Sequence, residues 1–244
     1  SLGKVVKLEG DVLADKSGTQ INLTLDQPAS YLQGNVKELN DGIVNLVVGN
    51  GATWKPVYDN RNGSFFDKND SATFTKDYVV DANSITRLTL ADGGIVDLTW
   101  DDATRNPSTD SRSLTISRLA GNNGTFKINS DLAHNVADKI SVVGADVATT
   151  TENIQVAYDP YLANTGLAKG STLKGKAEVV STAPDTLTFT GKDGEYNLYK
   201  YTPTLVKDTD GKWYLTSLVI NNGSSSTGPV KTIAQAGLGL QELW

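Results

Sequence analysis

Short alternating apolar segments recur at nearly constant spacing through the first hundred residues, and this limits the fold more than any other feature of the chain. Ile21-Asn22-Leu23-Thr24-Leu25 runs into Ala29-Ser30-Tyr31, and Val44-Asn45-Leu46-Val47-Val48 runs into Ala52-Thr53-Trp54. Ala72-Thr73-Phe74, then Thr86-Arg87-Leu88-Thr89-Leu90 with Gly94-Ile95-Val96, continue the series. The steps are 23 residues from Leu25 to Val48, 20 from Trp54 to Phe74 and 22 from Phe74 to Val96. Each unit reads as an alternating strand, a turn rich in Gly, Asn or Asp, and a second short strand, with no helical period. One such unit cannot bury its own apolar row and must stack on the next. The expected fold is therefore all-β, a parallel β-helix in which Leu23, Leu25, Val48, Leu88 and Leu90 stack inward at about 4.8 Å per coil. Tyr31, Trp54 and Phe74 would form a second inward stack. An antiparallel sandwich gives the same alternation and stays open, although it does not demand recurrence at fixed offsets.

Beyond Ser181 the pattern changes. Leu187-Thr188-Phe189-Thr190 and Tyr196 to Tyr201 flank Lys192-Asp193-Gly194-Glu195, where Asp-Gly is a strong hairpin signal. A second hairpin is expected from Leu205-Val206-Lys207 through Asp208-Thr209-Asp210-Gly211 to Trp213-Tyr214-Leu215. Antiparallel hairpins here would cap the open end of a stack, which otherwise shows unpaired backbone and a bare apolar row. Asn221 to Pro229 reads as a flexible linker, and Val230 to Trp244 as helix-compatible.

Charge and composition remove several function classes. The chain of 244 residues has a formal charge of -6 and a pI near 4.8, which leaves no excess of cations for nucleic acid or anionic lipid. It contains no cysteine, which rules out disulfides, thiolate metal sites and cysteine nucleophiles. Its apolar runs are far shorter than the roughly 20 residues of a membrane-spanning helix. Ser1 is not followed by a charged and apolar leader, so the chain is expected to be an excised piece of a longer protein.

The segment Ser113 to Gly144, with Leu119-Ala120-Gly121-Asn122-Asn123-Gly124-Thr125-Phe126 followed by Ala137-Asp138-Lys139-Ile140-Ser141-Val142, resembles the junction region of pertactin-like (type V) autotransporter passengers. Gly51-Ala52-Thr53-Trp54 and Leu88 to Leu98 are similar to the repeats that precede that junction. Leu198-Tyr199-Lys200-Tyr201 and Gly211-Lys212-Trp213-Tyr214-Leu215 resemble the final hairpins, and Ile233-Ala234-Gln235-Ala236 the start of the linker helix. The resemblance covers most of Leu23 to Trp244. It implies a right-handed β-helix exported through a C-terminal outer-membrane barrel, with the junction acting as an autochaperone that folds first outside the cell. It divides the chain into coils over 1–111, junction and hairpin cap over 112–220, and linker with the start of a helix over 221–244. The implied core of junction and cap is Leu114, Ile116, Leu119, Phe126, Ile128, Ile140, Val142, Phe189, Tyr199, Tyr201, Trp213 and Leu215. Neither barrel nor signal peptide is in the sequence. The implied partners are that covalently attached barrel and either a host-surface ligand or another copy, with the protein on the bacterial surface or secreted.

Two function classes follow. The first is a non-enzymatic stalk and folding template belonging to an adhesin or self-associating protein, with no catalytic, cofactor or metal residues. The second is a polysaccharide-cleaving β-helix enzyme using Asp97, Asp101 and Asp102, since clustered carboxylates suit calcium or acid–base work. Arg105 and Arg112 only hint at the base it needs. His134, the single histidine, has no recognisable serine elbow nearby and is expected in a solvent-facing turn. Asp208-Thr209-Asp210-Gly211 lacks the glutamate of a calcium loop and reads as a turn. Tyr31, Trp54 and Phe74 read as core rather than as a sugar-stacking face.

Overall fold

A computed structural model describes residues 3–56, 82–99, 111–164 and 166–222. Those residues form strands, turns and a single 3-10 turn at Leu132–His134, with no α-helix among them. Two large sheets share the strands alternately. The first sheet runs in the order β1 (Lys7–Glu9), β4 (Tyr31–Gln33), β7 (Thr53–Lys55), β9 (Ile95–Asp97), β11 (Thr125–Asp131), β14 (Thr151–Tyr158) and β16 (Thr188–Gly191). Every neighbouring pair along it is parallel. The second runs β3 (Gln20–Leu25), β6 (Ile43–Val48), β8 (Ala82–Leu90), β10 (Ser113–Ala120), β13 (Lys139–Ala145) and β15 (Thr172–Thr182), again parallel. It then turns antiparallel through β19 (Trp213–Asn222), β18 (Tyr199–Lys207) and β17 (Gly194–Tyr196). A small parallel pair, β2 (Val12–Ala14) with β5 (Val36–Glu38), stands beside them, and β12 (Val136–Ala137) folds back antiparallel on β11.

Alternation decides which side chains enter the core. In the second sheet Leu25, Val48 and Leu90 lie in register and are fully buried, as are Leu88 and Leu119 one row along. Leu23, expected in the same stack, is only partly buried, unlike Leu25 two residues along the same strand. In the first sheet the inward row is Leu32, Trp54, Val96, Phe126 and Ile154. Each fully buried side chain of this size contributes roughly 1.5–3 kcal/mol. Where the rows turn, backbones touch: a Cβ on Gly34 would lie 1.9 Å from the Gly10 carbonyl oxygen, so only glycine fits. The Gly34 carbonyl in turn accepts the Trp54 indole N–H at 3.0 Å.

Three sequence expectations need correction. Tyr31 does not stack under Trp54; that place belongs to Leu32, while Tyr31 faces outward and donates its hydroxyl to Glu9 at 2.8 Å. The repeat spacing places Tyr31 one residue away from the inward position, and one residue in a strand reverses the face. Second, Trp54 pairs directly with Val96, so the two even steps through Phe74 do not correspond to adjacent strands; Phe74 itself lies outside the described residues. Third, Asp193-Gly194 does not turn a hairpin. β16 belongs to the first sheet, and the tight turn falls at Asn197-Leu198 between β17 and β18, where Asn197 has φ of 53°. Gly194 serves packing instead, since a Cβ there would meet the Tyr201 hydroxyl at 2.2 Å. The second hairpin, through Asp208 to Gly211, forms between β18 and β19 as the sequence suggests.

Candidate functional site

The segment from β10 to β19 has an apolar core built on a polar frame. Leu114, Ile116, Leu119, Phe126, Ile128, Ile140, Val142, Phe189, Tyr199, Tyr201, Trp213 and Leu215 are all buried, Trp213 least at 9% exposure. Leu114 pairs with Ile140 and Ile116 with Val142 across β10 and β13, while Phe126 pairs with Val96 on one side and Ile154 on the other. Phe189 meets Trp213 edge-on, ring centres 5.8 Å apart, joining the first sheet to the antiparallel strands of the second. Tyr199 donates its hydroxyl to the Asn164 carbonyl at 3.0 Å and accepts the Gly166 N–H at 2.9 Å. The Tyr201 hydroxyl is pushed well above the usual phenol range, first by burial and then by the charge of Asp159.

The Gly121-Asn122-Asn123-Gly124 turn shows why the sequence breaks there. Gly121 takes φ of 92°, and a Cβ on it would strike the Leu90 carbonyl oxygen at 2.2 Å. Asn122 then replaces backbone as the stitch to the next turn: its Oδ1 accepts the N–H groups of Thr150 at 2.7 Å and Thr151 at 3.1 Å, and its Nδ2 donates to the Ala148 carbonyl at 2.7 Å.

Two buried aspartates hold the opposite corner, and sequence reasoning missed the role of both. Asp138 accepts the Arg112 N–H at 2.9 Å and the Asn129 N–H at 2.8 Å, so one carboxyl fixes the start of β10 to β11. The Arg112 side chain donates to the Leu98 carbonyl at 2.7 Å, just beyond β9. Burial lifts the Asp138 pKa to about 6 against the pull of those N–H donors and of Arg112. Asp159 accepts the Ser130 hydroxyl at 2.5 Å and the N–H groups of Leu132 and Tyr161, both at 2.9 Å. Burial raises its pKa as well, opposed by the same hydrogen bonds. Apolar alternation carries no sign of such groups. The only hint is that they flank turns, where backbone N–H groups lack strand partners.

Of the candidate acidic residues Asp97, Asp101 and Asp102, the described residues include only Asp97. Asp97 accepts the Thr99 N–H at 2.9 Å and the Thr99 hydroxyl at 2.5 Å within its own turn. Asp101, Asp102 and Arg105 lie outside the described residues, as do the linker beyond Asn222 and the helix-compatible tail. No group of His, Asp and Glu able to hold a metal ion occurs among the described residues. His134 has a largely exposed side chain whose Nδ1 lies 2.8 Å from Asp131, in the turn where it was expected. Asp208 pairs with Lys176 at 2.5 Å and Asp210 accepts the Tyr214 hydroxyl at 2.6 Å, so the Asp208–Gly211 acids brace a hairpin. Asp138 and Asp159 commit their carboxyl groups to backbone N–H and hydroxyl donors at the turns. No protein-family model matches the chain, and a search of curated proteins finds no match to it.

Proposed function

We propose that the chain is part of the passenger of a bacterial autotransporter, a non-enzymatic stalk whose C-terminal region is its folding template. In this reading the two sheets wind as a right-handed parallel β-helix, with 1–111 as ordinary coils, 112–220 as template and hairpin cap, and 221–244 leading to an outer-membrane barrel. The passenger stands on the bacterial surface or is released from it, and adheres to a host ligand or to its own kind.

One observation carries the reading: the difference between the ends of the second sheet. At one end the parallel ladder passes from β15 into the antiparallel strands β19, β18 and β17, whereas at the other β3 has only β6 beside it among the described residues. A finished end offers a fixed edge on which the next coil pairs. That removes most of the loop-closure cost that slows non-local β folds. Export from the C-terminal side would present this end first.

The test compares two fully buried residues at opposite ends of the stack. Phe126→Ala removes about 3–5 kcal/mol and Leu25→Ala about 2–5 kcal/mol of packing. If β10 to β19 nucleate folding, Phe126→Ala slows refolding of the whole chain, while Leu25→Ala chiefly speeds unfolding. Stopped-flow tryptophan fluorescence reads both rates. Equal slowing by the two variants, or slowing by Leu25→Ala alone, removes the template role.

A further inference from the structure

Glu152 sits where the fold has an apolar row. On β14 it alternates with Ile154 and Val156, all three fully buried. Its partner on β16 is Phe189. On β11 the register places Gly124 opposite it, one residue before the Thr125–Asn153 pair. Unlike Asp138 and Asp159, which accept backbone N–H groups, Glu152 has no hydrogen-bond partner for either carboxyl oxygen among the described residues. The charged groups around it do not compensate. Asp92, in the turn before β9, adds a like charge. Lys192, beyond β16, gives its ammonium to the Thr125 hydroxyl at 3.0 Å. Asp146, in the turn before β14, is held by Arg87 and Arg118, each at 2.5 Å. An ionised carboxylate in this position is fully buried, and only the approaching Gly124 N–H favours its charge.

We propose that Glu152 is a proton-operated latch: with its carboxyl neutral, β11, β14 and β16 close over it, and with the carboxyl ionised this part of the ladder loosens before the rest. Burial drives its pKa up to about 8, opposed by the approach of the Gly124 N–H and reinforced by Asp92. An unfolded glutamate titrates near 4.3, so between these values the folded chain holds the proton more tightly. The stabilisation is therefore complete below about pH 4 and is lost as pH rises through about 8. Within that window the folding constant falls by up to about tenfold per pH unit from this group alone.

The experiment follows urea unfolding of the full chain and of Glu152→Gln between about pH 6 and pH 9, where the neutral amide copies the protonated acid. Asp138 and Asp159 are present in both chains, so their titration cancels. The folding constant of the variant relative to wild type should rise at least about tenfold across that range. A ratio that stays constant overturns the latch. A second measurement needs no variant: amide-exchange protection in wild type, corrected for the intrinsic pH dependence of exchange. Protection at Ile154 and Val156 should fall about tenfold over the same range while Leu46 and Val48 hold theirs. Unchanged protection at Ile154, or equal loss at Leu46, overturns the proposal whatever the variant does.

Discussion

Gly124 is the sharpest place to test how the turn between β10 and β11 is packed. A Cβ built on it would lie 2.1 Å from Leu90 Cγ and under 3 Å from both Leu90 methyl carbons. Leu90 is fully buried and pairs with Val48 of β6, so its branch point cannot swing aside as the tip of an exposed side chain would. Gly124→Ala therefore overpacks the core and should destabilise by about 1–3 kcal/mol. Its backbone is not in the left-handed region, so the cost is one of space rather than of φ. Leu90→Ala alone leaves a cavity and should cost about 2–5 kcal/mol. In the double variant the new methyl group enters the volume that Leu90 vacates. The two penalties should then fall short of their sum by about 1–3 kcal/mol, the coupling expected of residues in contact. Equilibrium urea unfolding of the four chains, followed by tryptophan fluorescence, gives the cycle. Penalties that add to within about 0.5 kcal/mol would mean that Gly124 and Leu90 do not share that space, and the packing of the Gly-Asn-Asn-Gly turn on the end of β8 would fail.

Trp54→Phe should cost about 1–3 kcal/mol despite keeping an aromatic ring, because the buried Gly34 carbonyl loses its indole donor; urea unfolding checks it, and a neutral result would show the bond to be dispensable. Asp138 has a folded pKa of about 6, above the roughly 3.9 of an unfolded aspartate, so its contribution to stability is fullest below about pH 4 and is lost as pH rises through about 6. The destabilisation caused by Asp138→Asn should accordingly shrink between about pH 4 and pH 7, and a penalty that grows over that range would reverse the sign of this reasoning.

The sequence reveals what local alternation encodes and little else. Leu25, Val48 and Leu90 announce their common row because each closes an alternating run before a turn, and the stacking follows from the repeat. The Asp208–Gly211 hairpin is legible for the same reason. Register between distant strands is not local, so spacing alone puts Tyr31 on the wrong face and sets Phe74 in a unit between two strands that pair directly. The Asp193-Gly194 signal failed because burial against Tyr201 demands a glycine for its volume, and the turn chemistry is supplied by Asn197. Phe126 and Ile128 follow from alternation, and the other ten apolar residues were reached through the resemblance; Asp138, Asp159 and Glu152 follow from neither. A carboxylate in an inward position looks like a break in the pattern until its neighbours are known.

The register also has a consequence for how such a chain can diversify. From Leu25 to its neighbour Val48 the chain travels 23 residues, but from Val48 to its neighbour Leu90 it travels 42, and both steps end in the same row. The ladder is thus indifferent to how much polypeptide intervenes at that corner. Doubling the length of a connection costs only about 0.6 kcal/mol in closure entropy, a small charge against a fully buried leucine. Strands of one row can therefore keep their pairing while the chain lengths between them diverge, as the 23- and 42-residue steps do.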